Sequence, residues 1–265
     1  MLEFHSDIET YFKIQYLTSR DHIIPYLKGK MDMTPPLRVL EVGCGEAGVL
    51  KAFLELGHHC TGIELEQKRV DTALSFFEKE VEAGQIEFIV RNIYDIDPMK
   101  DKLKPFDLII LKDVIEHIPD QEKIIPELKK LSKPGGILFF AFPPWYMPFG
   151  GHQQICKSKI SRLPWIHLLP RGLYRWILTQ KKEPVADLME IRDTGISIER
   201  FERICKKEGY AFLHHRHYLL NPIYEWKFGW KPRTQGILIK AIPFFRNFLT
   251  TCVYYIITVK AKPAP

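Results

Sequence analysis

The chain has 265 residues, of which 46% are hydrophobic and 26% charged, a balance that excludes a wholly disordered protein and fits one α/β domain with an elaboration or two small domains. The formal charge of +6 is unevenly spread: residues 1–143 hold 18 Lys and Arg against 24 Asp and Glu, and residues 144–182 hold seven cations and no acid. The remainder is again basic from 209 onward, with eight cations against Glu225 alone, so the acidic and basic halves are expected to meet different partners.

The first residues, MLEFHSDIET, lack a basic stretch followed by an apolar core, so no secretory leader is expected. Residues 7–28 predict a helix with an apolar stripe of Ile8, Tyr11, Phe12, Tyr16, Ile23 and Leu27, capped by Asp7 and stopped at Gly29. Pro35 and Pro36 then mark a linker. A βα alternation follows. LRVLEV, HCTGIEL, IEFIVRN, FDLIILKD and GGILFFAF are short apolar strands, separated by helical stretches such as AGVLKAFLELG and PDQEKIIPELKKLS, and a single long helix is expected over EQKRVDTALSFFEKEVEAG. Regularity lapses over 143–195 and returns with the helix SIERFERICKKEGY, opened by Ser197, and the strands AFLHHRHYLL and CVYYIITVK. The stretch GILIKAIPFFRNFLTTCVYYIITVK is broken by Lys240, Pro243 and Arg246 and falls short of the ~20 apolar residues of a membrane span. The five cysteines, Cys44, Cys60, Cys156, Cys205 and Cys252, form no C-x-x-C and are odd in number, which points to a reducing compartment and a cytoplasmic protein, with a peripheral membrane position left open.

The sharpest motif is VLEVGCGEAG, residues 39–48, in which Gly43, Gly45 and Gly48 fit G-x-G-x-x-G. Such a loop sits at the carboxyl edge of a parallel sheet, where open α/β sheets bind ligands. Alone it is a weak sign of a dinucleotide site. Glu41 and Glu46 oppose a pyrophosphate, because like charges repel, and suit a cationic ligand. Glu64 stands ~20 residues downstream at the next strand end, where ribose hydroxyls are recognised.

Five blocks in order now resemble the class I S-adenosylmethionine-dependent methyltransferases, most closely the small-molecule and quinone-type group. They are VLEVGCGEAG, GIEL, VRNIYDI, FDLIILKDVIEHIPD and LSKPGGILFFAF. The resemblance covers residues 37–142 strongly and 197–260 weakly. It implies a Rossmann-like, seven-stranded, mostly parallel sheet with helices on both faces, an antiparallel last strand and an insertion after the fifth strand. It implies S-adenosylmethionine as cofactor, with S-adenosylhomocysteine as product. The cofactor residues expected from it are Glu41, Gly43, Cys44 and Gly45 in the loop, Glu64 and Leu65 after the second strand, Asn92 and Ile93 after the third, and Lys112, Asp113 and His117 after the fourth. Asn92 stands where the family commonly has Asp. Cys44 also reads simply as a small residue fitting a tight turn.

The expected organisation is a helical segment over 1–36, the cofactor-binding core over 37–142, a basic aromatic insertion over 143–195, and the completion of the core over 196–265. His117 and His152 are rival general bases for a hydroxyl acceptor. Tyr11 and Tyr16 of the first helix, with Trp145, His152 and Gln153 of the insertion, are expected to line the acceptor side. No metal is expected: His214, His215 and His217 fall on a predicted strand, where alternation sends 214 and 215 to opposite faces. The seven cations and three tryptophans of the insertion suit an anionic or lipid-linked acceptor. With no RNA-binding module visible, nucleic acid is not the expected partner. The reading is methyl transfer to an O or N nucleophile of a small acceptor. A non-catalytic S-adenosylmethionine-binding scaffold, an NAD-linked oxidoreductase and an RNA methyltransferase remain as alternatives, and oligomeric state is unassigned.

Overall fold

The computed structural model describes residues 7–34 and 36–259. The leader reading of residues 1–6, the Pro35 break and the last position of the final predicted strand, Lys260, lie outside the described residues.

The first helical stretch is built as expected and is interrupted once. α1 (Ile8–Thr18) starts at Asp7, whose carboxylate accepts from the Thr10 amide. It runs through a π-helical turn, Ser19–Ile23, into α2 (Ile24–Lys28). The wide turn comes just before Pro25, whose missing N–H cannot continue the regular ladder. Gly29 ends α2.

The alternation then yields β1 (Arg38–Val42), α3 (Gly48–Leu54), β2 (His59–Glu64), α4 (Gln67–Phe76), α5 (Glu78–Glu82), β3 (Ile86–Val90), β4 (Phe106–Lys112), α6 (Gln121–Leu131) and β5 (Ser132–Phe142). The predicted long second helix is broken at Phe77, a fully buried residue whose φ of −125° leaves the helical region. Five strands are parallel neighbours in the order β3-β2-β1-β4-β5. Beyond β5 lies β8 (Cys252–Val259), antiparallel to β5 and also to β6 (Tyr210–Leu220), which carries a two-residue edge strand, β7 (Arg233–Thr234). The seven expected strands are all present, with β7 as the eighth.

Residue parity divides the core into two layers. Val39, Leu108, Ile110, Phe139, Tyr254 and Ile256 face one layer, with Phe53 of α3 and Leu27 of α2. Leu40, Ile109, Leu111, Phe140, Tyr255 and Ile257 face the other, with Leu128 of α6 and Phe201 of α9 (Ile198–Lys207). α9 begins at Ser197, whose hydroxyl accepts from the Arg200 amide. Continuing the first parity toward the carboxyl edge places Glu41 after Val39 and Lys112 after Ile110, so the apolar face under α1–α3 turns polar at that edge.

The insertion is more regular than its sequence suggests. It holds α7 (Arg171–Gln180) and α8 (Val185–Thr194), and Tyr174, Leu178, Leu188 and Met189 form a small core with Cys156 and Ile160. After β6 come two short helices, α10 (Tyr224–Phe228) and α11 (Ile237–Lys240). All five cysteines are buried and free of disulfides. Among the described residues no helix is long and apolar enough to cross a membrane.

Candidate functional site

The glycine loop leaves β1 with two left-handed residues, Gly43 (φ +69°) and Gly45 (φ +55°), followed by Ala47, which holds φ 63° although it carries a Cβ. The amides of Gly43 and Cys44 both donate to Ile63 O, at 2.7 and 3.1 Å, which ties the loop to the end of β2. Glu64 then closes it: its Oε2 accepts from Gly45 N at 2.8 Å, and its Oε1 accepts from the amides of Leu65 and Glu66 at 2.8 and 3.2 Å. The loop is tight. A Cβ on Gly43 would fall 2.6 Å from Val114 Cγ2, and one on Gly48 would fall 2.6 Å from the main-chain oxygen of Phe12.

The two loop carboxylates have different fates. Arg69 of α4 holds Glu46 through two hydrogen bonds, at 2.9 and 2.8 Å. Burial works against the Glu46 charge, but the guanidinium outweighs it and keeps the carboxyl below its usual range. Glu46 is therefore neutralised inside the protein, and only Glu41 still argues against a pyrophosphate. Glu41 is 3% exposed and its Oε2 has no hydrogen-bond partner. Burial pushes its carboxyl well above the ordinary value, and Glu64 adds to the shift against the opposing pull of Lys112. An orphaned acidic oxygen beside a glycine loop fits the ammonium of an amino-acid-bearing cofactor.

A buried polar cluster adjoins the loop at the end of β4. Lys112 Nζ lies 2.5 Å from Asp113 Oδ2. Asp113 itself has φ 54°, a conformation disfavoured for a residue with a Cβ, and its amide donates to Ala141 O at 2.8 Å. Burial lowers the Lys112 pKa, but Asp113 more than compensates and the ammonium is retained. From the other side, Lys227 of α10 places its Nζ over the Tyr11 ring, 5.6 Å from the centroid. Burial brings the Lys227 pKa down to about 8, despite the neighbouring Asp113. Gln15 donates to Tyr11 Oη at 2.6 Å. After Asp113 the chain makes a 3-10 turn, Ile115–His117, and His152 opens another, Gln153–Ile155, with φ 52°. The His117 and His152 rings stand 4.9 Å apart.

The structure thus assembles Glu41, Gly43, Cys44, Gly45 and Glu64 around the loop, and Lys112, Asp113, His117, His152 and Tyr11 beside it. Leu65 lies at the end of β2, 65% exposed, and Ile93 is buried. Asn92 is exposed and spends its side-chain oxygen on the Tyr94 amide, capping its own turn. Three expected residues belong elsewhere. Tyr16 is turned to the far end of α3, where its hydroxyl donates to Glu55 at 2.7 Å. Trp145 packs edge-on against His167 and against Gly195, inside the insertion. Gln153 is fully buried and donates to Pro148 O and Leu163 O, both at 3.0 Å, so it fastens the insertion loop. Arg69 and Lys227 were not anticipated. A cation on the second helix, one turn after Glu64, was the only available sign of Arg69. α10 is five residues long and has no readable period. A cavity of about 540 Å³, lined by Arg38, His59, Thr61, Gln85 and Glu87, lies at the opposite, amino-terminal edge of the sheet, away from this chemistry.

Residues 40–140 match the family model described as methyltransferase domain. A ubiquinone biosynthesis O-methyltransferase of Coxiella burnetii (strain RSA 493 / Nine Mile phase I) is 32% identical over 115 residues, which cover 43% of this chain and 44% of that one. A sterol 24-C-methyltransferase of Gibberella zeae is 29% identical over 123 residues, covering 46% and 31%. The chain therefore spans less than half the length of these curated relatives. Among solved structures, phosphoethanolamine N-methyltransferase 2 of Haemonchus contortus in complex with S-adenosyl-L-methionine superposes with a TM-score of 0.57 at 13% identity, covering 98% of this chain and 60% of that one. An S-adenosylmethionine-dependent methyltransferase of Mesorhizobium loti gives 0.53 at 15% identity, covering 88% and 95%. The glycine loop with its carboxylates, the strand order and the family match over residues 40–140 mark that core as a methyltransferase domain of the class I, S-adenosylmethionine-dependent kind.

Proposed function

We propose that the protein transfers a methyl group to a nucleophile on a small acceptor, and that the acceptor is presented at an anionic membrane surface. The observation that carries the cofactor half of this reading is the buried Glu41 carboxylate beside the glycine loop, whose Oε2 has no hydrogen-bond partner. S-adenosylmethionine supplies an already activated methyl, carried on a positively charged sulfur. The protein's task is then to position donor and acceptor, and proximity alone supplies much of the rate. Glu41 would hold the ammonium, Glu64 the ribose, and Leu65, Asn92 and Ile93 would border the base. Tyr11 and Lys227 close the side facing α1 and α10. His117 and His152 stand with Asp113 on the acceptor side. In this reading residues 1–36 cover a core of 37–142 completed by 196–265, and 143–195 frames the acceptor.

Calorimetry tests the cofactor. S-adenosylhomocysteine should bind one per chain and NAD should not, and the reverse result would refute the reading. Methyl transfer to a metabolite panel separates an enzyme from a scaffold that merely binds the cofactor.

The membrane half rests on an exposed apolar strip. Ile237 and Leu238 of α11 are each 81% exposed, and Ile242, Phe244 and Phe245 follow them outward. Phe244 packs edge-on against Tyr146 of the insertion, with ring centroids 4.7 Å apart, and Trp165 donates to Tyr146 O, so the strip is continuous with the insertion. Exposed Lys231 and Arg233 flank it. Apolar side chains beside cations fit the boundary of an anionic bilayer. Co-sedimentation with phosphatidylglycerol vesicles should be clear for the native chain and largely lost in Leu238→Asp/Phe245→Asp. Undiminished binding by that variant would overturn the membrane assignment.

A further inference from the structure

One buried charge near the site has no role in holding a cofactor. Glu116 is 4% exposed, and neither carboxylate oxygen has a hydrogen-bond partner. Its nearest cationic candidate, His117 Nε2, is 3.9 Å away, too far for a hydrogen bond. A carboxylate withdrawn from water without a partner is strongly unfavourable, so a cation brought to it would be bound in place of a proton.

The neighbours of Glu116 indicate what that is. Glu116, His117 and His152 each turn one ligand atom to a common point, with those atoms all within 4.8 Å of one another. It is the one such group among the described residues, and the three histidines of β6 do not form another. His215 and His217 lie against Tyr255 on one face of the sheet, while His214 meets Tyr26 on the other. Two imidazoles and a carboxylate are the donor set of open divalent sites, in which three protein ligands leave positions for water or substrate.

The backbone holds the three donors in place. Gln121, itself 1% exposed, donates to Ile115 O at 3.2 Å and to Thr194 O, clamping the 115–117 turn between α6 and α8. His152 keeps a left-handed conformation, which a residue with a Cβ adopts only when its surroundings demand it. Val114, on the same turn, packs directly on Gly43. The trio is therefore next to the glycine loop, on the side left for the acceptor.

We propose that Glu116, His117 and His152 bind one divalent transition-metal ion, and that this ion takes the hydroxyl oxygen of the acceptor. The inference rests on the methyltransferase reading and narrows it. A metal-bound hydroxyl releases its proton near neutral pH, as metal-bound water does. The acceptor is then a phenol or a vicinal diol and the methylated atom is oxygen. The two histidines act as neutral ligands, and the acceptor's proton passes to solvent.

The test is calorimetric titration of the full chain with Zn²⁺ and Mn²⁺, together with visible absorption on adding Co²⁺, each repeated with S-adenosylhomocysteine present. One ion per chain is expected, with the Co²⁺ absorption of a site containing nitrogen ligands. Glu116→Gln, His117→Gln and His152→Ala should each weaken metal binding about tenfold or more. His215→Ala, at an exposed position of β6, should leave it unchanged. His152 lies in a partly exposed loop, and its variant should keep the native melting transition. Absence of stoichiometric metal binding, or binding that falls with His215→Ala and not with the three ligand variants, overturns the site. S-adenosylhomocysteine binding without metal binding overturns the metal site alone, whereas metal binding without S-adenosylhomocysteine binding supports the site and refutes the cofactor reading.

Discussion

Glu41→Gln should weaken S-adenosylmethionine binding by about 10- to 100-fold while making the ligand-free protein harder to melt. The first effect follows from removing a charged acceptor from a buried contact, since hydrogen bonds to ionised groups contribute about 1.5–3 kcal/mol and each 1.4 kcal/mol is a factor of ten. The second follows from burial. Glu41 has an orphaned oxygen, stands near the like-charged Glu64, and meets positive charge only from Lys112, already paired with Asp113, and Arg69, already paired with Glu46. Burial raises its carboxyl well above the ordinary 4.5. A group whose folded pKa lies above its unfolded value contributes stability that is present below the unfolded value and lost as pH rises through the folded one. Gln cannot ionise, so the melting advantage of the variant should widen as pH rises above the ordinary carboxylate range. A structural role for Glu41 would give the opposite pair of results, a lower melting temperature with affinity intact. Thermal melts across pH, with calorimetry at one pH, decide between them.

The legible parts of this molecule are those where one residue suffices. Strand parity can be read from LRVLEV and FDLIILKD because alternate residues enter alternate layers, and the same parity delivers Glu41 and Lys112 to the carboxyl edge. Glu64 is legible because its place at the end of β2 follows from the strand. The rest depends on contacts between distant segments. Arg69 neutralises Glu46 across the loop, so two carboxylates that look equivalent in sequence differ in the fold. Lys227 reaches Tyr11 from a five-residue helix that has no period to reveal it. The helices of the insertion are hard to read from the sequence because α7 buries Tyr174 and Leu178 while exposing Leu173 and Trp176, which blurs its apolar face. Trp145 and Gln153 have the chemistry of ligand contacts, yet a loop that builds its own small core uses them to hold itself together. Glu116 and His117 are visible in VIEHIPD, but only folding brings His152 to them.

Gly48→Val should displace α1 and with it one wall of the site. The position is a junction between two main chains: an added Cβ would lie 2.6 Å from Phe12 O and 2.9 Å from Gln15 Cβ. The first of these is backbone and cannot swing aside. α1 has little room to retreat, because the Phe12 ring packs on Phe76 at 4.6 Å and on Phe77 at 5.9 Å between ring centroids. Forcing extra carbons into such a contact costs about 1–3 kcal/mol. For a chain of this size that lowers Tm by several degrees, at roughly 2–4 °C per kcal/mol. Because α1 carries Tyr11 and Gln15 into the polar cluster, S-adenosylhomocysteine affinity should fall as well. Hydrogen exchange localises the damage: amides of α1 should lose protection while those of α9, on the other face of the sheet, keep theirs. Gly172→Ala is the matched control. Gly172 lies in the first turn of α7 with nothing within 4 Å of an added Cβ, so alanine there should be neutral or stabilising by up to about 1 kcal/mol. If Gly48→Val melts and binds like the native chain, α1 does not rest on the glycine loop, and the wall formed by Tyr11 has to be sought elsewhere.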